Sequence, residues 1–186
     1  YGISGSTAGS GVNAGTESKV GTYGTLTLNT STGVYSYAKN AAAIEALGVS
    51  ESGTDSFSMT VTDGDGSVVS QTYTVSVTGA NDAPVLSATV TSATYTDTAA
   101  DDTFTTVSGT LSVVDVDASD TAGYSITDQA ADTSRTGFTH SKAGSYGTLY
   151  LNSTSGAYEY VPSDAAIEAR KTNASESFTL VVSDGS

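Results

Sequence analysis

The sequence contains no cysteine and no tryptophan, and it has six basic residues against twenty acidic ones. Without cysteine, disulfide bridges and thiolate metal sites are excluded. The net charge of -14 disfavours binding to nucleic acid and to anionic lipid, because both are polyanions. No apolar run is long enough to span a bilayer. We therefore expect a protein that binds no nucleic acid and does not insert into a membrane.

Signs of catalysis are also scarce. His140 is the only histidine, and no nucleophile motif accompanies it. The Asp-Gly turns contain neither a phosphate-binding loop nor a dinucleotide-binding glycine pattern that opens a helix. We therefore expect that the protein is not an enzyme.

Glycine, serine, threonine and valine are abundant, and tyrosine is the commonest aromatic residue. This mixture favours short strands and turns and is poor for helices. Several short stretches of alternating apolar and polar residues, separated by turn residues, predict an all-β protein of immunoglobulin-like sandwiches. The length of 186 residues is enough for one large domain or two of ordinary size.

The sequence repeats itself at a shift of 123 positions. The matching segments are 23–29 with 146–152, 33–37 with 156–160, 42–46 with 165–169 and, after a gap of two residues, 57–64 with 178–185. A repeat of this length is typical of tandem domains and not of the short units of a solenoid.

The repeat divides the chain into three parts. Residues 1–79 are the C-terminal part of a first sandwich, 80–84 are a linker, and 85–186 are a second sandwich that lacks its last strand. Pro84 fixes φ and has no backbone N–H, so it indicates a joint or a strand start. Each copy is short of at least one strand, which leaves an open sheet edge. Either the chain is cut from a longer array, or neighbouring copies supply the missing strands and form a filament.

Oxygen-bearing side chains gather on both sides of this linker. Asn81 and Asp82 lie within it, and Asp115, Asp117 and Asp120 follow the first strands of the second sandwich. Residues two apart on an extended chain point to the same side, and neighbouring carboxylates repel each other unless a cation lies between them. Such oxygen ligands suit calcium. The alternative is a solvated acidic turn.

Two further pairs of acidic residues occupy matching positions in the two copies. Asp63 and Asp184 each follow a strand and precede a glycine, and turn chemistry alone would explain both. Asp55 and Glu176 share another position, from which a carboxylate could close a metal site at the next joint. We include Asp63, Asp184 and Asp55 among the candidate calcium ligands.

Segments 26–37, 55–66 and 73–84, which contain GVYSY, DSFSMTVTDGDG and YTVSVTGANDAP, closely resemble the VCBS repeat of very large bacterial surface and secreted proteins. The layout is also similar to that of cadherins. The resemblance implies that Asn81-Asp82-x-Pro84 is a calcium-binding linker motif. It also implies that Asp115-x-Asp117 is the DxD of the following domain, and that Asp184 reaches back to the joint. The departure is Ala80, where cadherins usually carry another ligand.

The sequence and this resemblance together predict a secreted or cell-surface spacer module with an adhesive role, stiffened by Ca²⁺ between repeats. Its expected partners are neighbouring repeats of the same or of identical chains, and other domains would contact a glycan or protein receptor. The alternative is a carbohydrate-binding module. Tyr35 and Tyr37, and their matches Tyr158 and Tyr160, alternate along a strand, and one face of that strand could stack on sugar.

Overall fold

The structure is a computed structural model that describes residues 1–185. Its sheets are antiparallel, and its two α-helices are each five residues long. This confirms the prediction of an all-β chain. The chain forms two compact units. Unit 1 comprises Tyr1–Asp82 and Val116–Ser119, and unit 2 comprises Ala83–Asp115 and the chain from Asp120 onward. Neither helix has the length and apolar character needed to cross a membrane.

Unit 1 contains seven strands in two sheets. The elements are β1 (Gly2–Ile3), β2 (Thr7–Ala8), β3 (Thr16–Val20), β4 (Gly24–Asn29), β5 (Tyr35–Lys39), helix α1 (Ala41–Glu45), β6 (Ser52–Thr62) and β7 (Val68–Thr78), with a 3-10 turn at Gly11–Asn13. The sheet orders are β2-β3-β4-β5 and β1-β6-β7. Leu26 and Leu28 alternate with threonine along β4, so both leucines point inward. They form the core with Ile3 and Phe57 of the other sheet.

Unit 2 contains eight strands. The elements are β8 (Val85–Ala88), β9 (Val107–Val114), β10 (Gly123–Ile126), β11 (Ala130–Ala131), β12 (His140–Ala143), β13 (Gly147–Leu151), β14 (Ala157–Pro162), helix α2 (Asp164–Glu168) and β15 (Leu180–Ser183). The sheet orders are β11-β12-β13-β14-β9-β8 and β10-β15. Leu149, Leu151 and Tyr158 of the large sheet pack with Tyr124 and Ile126 of β10. Each unit thus buries apolar side chains between two sheets, as a sandwich does.

The strand pairings of the two units correspond at the shift of the sequence repeat. In unit 1, Leu26 of β4 pairs with Tyr37 of β5. In unit 2, the matching residues Leu149 and Tyr160 pair across β13 and β14. The pairs β1–β6 and β10–β15, and the pairs β2–β3 and β11–β12, also share their register.

The two units differ at one strand position in each sheet. In unit 1, β6 pairs with β1 on one edge and with β7 on the other. In unit 2, the matching strand β15 pairs with β10 alone among residues 1–185. Conversely, β14 has β9 as a second partner, whereas the matching strand β5 has only β4 in the described chain. Within residues 1–185, each unit therefore has one sheet edge that its counterpart covers with a further strand, at a different place in each unit.

Glu17 of β3 joins the two sheets of unit 1. Its Oε2 accepts hydrogen bonds from the backbone N–H of Ile3 at 2.9 Å and from the hydroxyl of Ser6 at 2.7 Å. These two bonds lower the pKa of Glu17, because they stabilise the charged form.

Replacing Glu17 by glutamine is expected to lower the free energy of unfolding of unit 1 by about 1 kcal/mol at neutral pH, since bonds to a part-exposed charge are screened. Because the folded pKa lies below the ordinary value of 4.5, this contribution is present above pH 4.5 and is lost as pH falls through the folded pKa. Urea unfolding at about pH 7 and about pH 3 should show the difference closing at acid pH. The same change at exposed Glu45 is the control, and an E17Q difference that is equal at both pH values would contradict the assignment.

Candidate metal centre

Three aspartates of unit 2 come together at one end of its small sheet. Asp184 directly follows β15, and Asp120 lies just before β10. These two strands pair, with Gly123 opposite Ser183, so the antiparallel register brings Asp120 and Asp184 to the same end. Asp115 joins them directly after β9.

One carboxylate oxygen from each of these three residues lies within 4.8 Å of the others, and each residue is half-buried. We call Asp115, Asp120 and Asp184 the acidic cluster. Like charges this close repel one another, and partial burial weakens the screening by water. A cation bound among the three carboxylates would replace this repulsion with attraction. The acidic cluster could therefore hold a metal ion, and its all-oxygen ligands are those of a hard cation.

Two other predicted ligands lie together in unit 1. Asp117 is 3% exposed, and its Oδ2 accepts a hydrogen bond of 2.7 Å from the backbone N–H of Asp82. The neighbouring backbone N–H of Ala118 donates to the carbonyl of Ala46, which fixes this short segment on unit 1. Asn81, next to Asp82, is exposed. The structure thus brings Asp82 and Asp117 into direct contact through the main chain of one and the side chain of the other.

Asp63 occupies the turn between β6 and β7. Its Oδ1 accepts hydrogen bonds from the backbone N–H groups of Asp65 at 3.0 Å and Ser67 at 2.8 Å. This is the turn chemistry that the sequence allowed as an explanation. Asp63 is exposed and belongs to neither of the acidic groups found in residues 1–185, whereas its repeat counterpart Asp184 belongs to the acidic cluster.

Asp55 lies inside unit 1, away from solvent. It is 4% exposed, and its two oxygens accept hydrogen bonds from the backbone N–H groups of Thr22 at 2.8 Å and Tyr23 at 3.0 Å, and from the Tyr37 hydroxyl at 2.7 Å. Burial, together with the bond to the carboxylate, raises the pKa of Tyr37 to about 12. Asp55 therefore holds the β3–β4 turn and a core tyrosine, and both of its carboxylate oxygens accept hydrogen bonds there.

The same network recurs in unit 2 and was not foreseen from the sequence. Glu176 accepts from the backbone N–H groups of Ser145 at 2.6 Å and Tyr146 at 3.0 Å, and from the Tyr160 hydroxyl at 2.5 Å. Burial, and then the bond to Glu176, raise the pKa of Tyr160. The sequence pattern that could have predicted this network is that both repeat copies carry a tyrosine and a carboxylate at matching positions.

A second acidic group, also missed by the sequence reasoning, lies elsewhere in unit 2. It consists of Asp97, Asp102 and Glu168. Glu168 Oε1 accepts a bond of 3.0 Å from the backbone N–H of Asp102. Desolvation raises the pKa of Glu168, and the charges of Asp97 and Asp102 raise it further against the lowering effect of that bond. The two aspartates lie in a loop, so no periodic pattern in the sequence predicted that they would lie near Glu168 of α2.

The tyrosine face considered for sugar stacking is not shared by the two units. Tyr35 is 48% exposed, whereas Tyr158 is 5% exposed. In unit 2, β9 pairs beside Tyr158, with Gly109 directly opposite, and the Tyr158 hydroxyl hydrogen-bonds to the backbone of Val90. Tyr158 is thus a core residue, and of these two matching tyrosines only Tyr35 is exposed.

No protein-family model matches the sequence, and neither does any curated protein.

Proposed function

We propose that the chain is an extracellular spacer module of a large bacterial repeat protein, and that calcium bound at the acidic cluster stiffens it. The observation that carries this proposal is the convergence of the Asp115, Asp120 and Asp184 carboxylates within 4.8 Å of one another. Three half-buried carboxylates provide ligand oxygens and negative charge but no nitrogen or sulfur ligand, a set that suits calcium better than a transition metal.

The composition supports a structural role. The net charge of -14 disfavours polyanionic partners, and each of the two sandwiches has an internal apolar core. The resemblance of segments 26–37, 55–66 and 73–84 to the VCBS repeat supports a secreted or cell-surface location. It also supports a role for the linker residues Asn81 and Asp82 in the calcium response.

Calcium is expected to stabilise unit 2. Extracellular calcium sites have Kd values of about 10⁻⁴–10⁻³ M, so about 10 mM Ca²⁺ should add about 1.4–2.7 kcal/mol to the free energy of unfolding. The melting temperature of the chelator-treated chain should rise by roughly 6–20 °C on addition of Ca²⁺. Asp184→Asn, which removes one charge from the acidic cluster, should abolish most of this rise.

The matched control is Asp63→Asn, which changes the same residue type at the repeat-equivalent position and should leave the calcium response intact. Calorimetric titration of the wild type and both variants measures the affinity directly, and Mg²⁺ at equal concentration tests the choice of ion. Equal calcium responses in the wild type and in Asp184→Asn would remove the acidic cluster from the proposal. No response in the wild type would overturn the calcium role as a whole.

We extend the proposal to assembly. A strand from a neighbouring polypeptide that completes an open sheet edge would join modules into a fibre, because added backbone hydrogen bonds provide affinity along the whole edge. Solution scattering with Ca²⁺ and with chelator tests the stiffening, since a stiffer rod keeps a larger maximum dimension.

A further inference from the structure

Three aspartates of the sequence are followed directly by glycine, namely Asp63, Asp65 and Asp184. An aspartate before glycine can rearrange through a cyclic imide, because the glycine nitrogen reaches the side-chain carbon with no Cβ in the way. The dipeptide is the same in all three places. Their surroundings in the folded chain differ, and these surroundings decide which carboxyl group is free to react.

The carboxylate of Asp63 is held by main-chain donors. Its Oδ1 accepts hydrogen bonds from the backbone N–H groups of Asp65 at 3.0 Å and Ser67 at 2.8 Å. The backbone N–H of Asp63 also donates to the carbonyl of Ser67 at 3.0 Å. Cyclisation at Asp63 would have to break both bonds to its carboxylate, so the folded turn protects this position.

Asp184 is held in a different way. Its side chain is half-buried, and one of its carboxylate oxygens belongs to the acidic cluster. Partial burial limits the room in which the side chain can rotate. The N–H of Gly185, whose nitrogen would attack the side chain, donates to the Ser183 hydroxyl at 3.2 Å. Both reacting groups would have to leave their places in the folded chain.

Asp65 lies at the tip of the β6–β7 hairpin, where residues 61–70 are all exposed. Its backbone N–H donates to Asp63, whereas its carboxylate accepts no hydrogen bond within residues 1–185. Gly66 has a φ of 87°, and its N–H donates to the carbonyl of Asp63 at 3.3 Å, which is long for such a bond. Only this long bond has to open before the Gly66 nitrogen can approach the Asp65 side chain.

We propose that Asp65-Gly66 is a modification site, at which the folded chain forms isoaspartate spontaneously while Asp63-Gly64 and Asp184-Gly185 are protected. In the first step the Gly66 nitrogen bonds to Cγ of Asp65 and gives up its proton. The C–O bond of the protonated carboxyl group breaks, and one water molecule leaves. In the second step a water molecule adds to the α-carbonyl of the imide and breaks its C–N bond. The chain then continues through Cγ, and the sum is an isomerisation with no oxidant, reductant or cofactor.

The product changes the turn and leaves the hairpin in place. Isoaspartate adds one methylene to the main chain and carries the former α-carboxyl group as a free carboxylate. The change lies between Asp65 and Ser67, the two donors to Asp63 Oδ1, so these two bonds cannot both keep their geometry. The β6–β7 ladder ends at the pair of Thr62 with Val68, outside the change. The modified turn would be a substrate for an enzyme that methylates isoaspartyl carboxylates.

This inference does not rest on the proposed function, because neither calcium nor assembly takes part in the reaction. The test is prolonged incubation of the full chain at neutral pH in calcium-free buffer, followed by peptide mapping that separates isoaspartyl from aspartyl peptides. We expect isoaspartate at position 65 to accumulate at least about fivefold faster than at positions 63 and 184, the factor that corresponds to breaking one further hydrogen bond.

Two variants test the chemistry through the total isoaspartate, which enzymatic methylation with a labelled methyl donor measures. Asp65→Glu keeps the charge and the exposure but would need a less favourable six-membered ring, so it should remove most of the methylation. Asp101→Glu, an equal change at an exposed aspartate that no glycine follows, is the matched control and should not alter it. Equal methylation of the wild type and of Asp65→Glu would overturn the proposal.

Denaturant shows whether the fold selects the site. In the unfolded chain the contacts of Asp63 and Asp184 are gone, so the three positions should convert at rates within about twofold of one another. Equal rates at the three positions of the folded chain would overturn the proposal. The same preference for position 65 in denaturant would also overturn it, since the choice would then come from the local sequence and not from the turn.

Discussion

Asp55→Asn will lower the free energy of unfolding of unit 1 by about 3 kcal/mol, since a buried donor left without its acceptor costs about 1–3 kcal/mol. The side chain is 4% exposed and accepts from two backbone N–H groups and from the Tyr37 hydroxyl. An asparagine keeps the shape but presents an NH₂ group where one oxygen accepted a bond. Two donors then face each other in a site that water does not reach.

Hydrogen exchange followed by mass spectrometry measures this effect in each unit. Protection of β4 should fall in Asp55→Asn, whereas protection of the matching strand β13 should not change, because none of the three donors belongs to unit 2. Asp65→Asn, an equal charge change at an exposed position of the β6–β7 turn, is the control. Adding chelator should not alter the difference. A difference that appeared only with Ca²⁺ would instead support a ligand role for Asp55.

The same variant has a signature in the titration of Tyr37. Burial and the Asp55 carboxylate raise the pKa of this tyrosine to about 12. Between the ordinary pKa and this raised pKa, Tyr37 keeps its proton in the folded state and loses it in the unfolded state. Stability is therefore complete below the ordinary pKa of 10.0 and falls as pH rises from there through the folded pKa. In Asp55→Asn the pKa of Tyr37 should be lower, and absorbance of tyrosinate against pH follows it directly.

Asp55 also shows what could be read from the sequence and what could not. The alternation of β6 places Asp55 on the same face as Phe57, two residues later, so its inward direction was available from the pattern alone. Its partners were not, because Thr22 and Tyr23 are more than thirty positions away in the chain. A carboxylate on an inward face requires donors, and that requirement favours a structural role over a solvent-facing ligand role.

The acidic cluster could be predicted from the sequence only in part. Asp115 and Asp120 are only five positions apart in the sequence, and both were among the candidate calcium ligands. Asp184 joins them only through the pairing of β10 with β15. The resemblance to cadherins implied that Asp184 reaches back to the joint, but no local pattern gives this pairing. Asp117 accepts a hydrogen bond from the backbone N–H of Asp82, a contact that depends on tertiary packing and that no local pattern gives.

Gly109→Ala is expected to destabilise unit 2 by about 3 kcal/mol, because overpacking a core costs about 1–3 kcal/mol and lost hydrogen bonds add about 1 kcal/mol each. Gly109 of β9 lies directly opposite Tyr158 of β14, and a Cβ at this position would overlap the phenol ring. The ring would have to move, and its hydroxyl would leave the backbone of Val90, to which it hydrogen-bonds. The absence of a side chain at Gly109 is therefore what allows a tyrosine to be buried in unit 2.

A double-mutant cycle separates this steric cause from a general effect of alanine in a strand. In a Tyr158→Ala background the overlap is gone, so adding Gly109→Ala should cost little or even stabilise the chain by reducing the entropy of the unfolded state. Gly123→Ala is the control among the glycines of unit 2, since a Cβ there meets no atom within 4 Å. An equal cost for Gly109→Ala in both backgrounds would show that overlap with Tyr158 is not the cause. The missing side chain at Gly109 would then not explain how Tyr158 is buried.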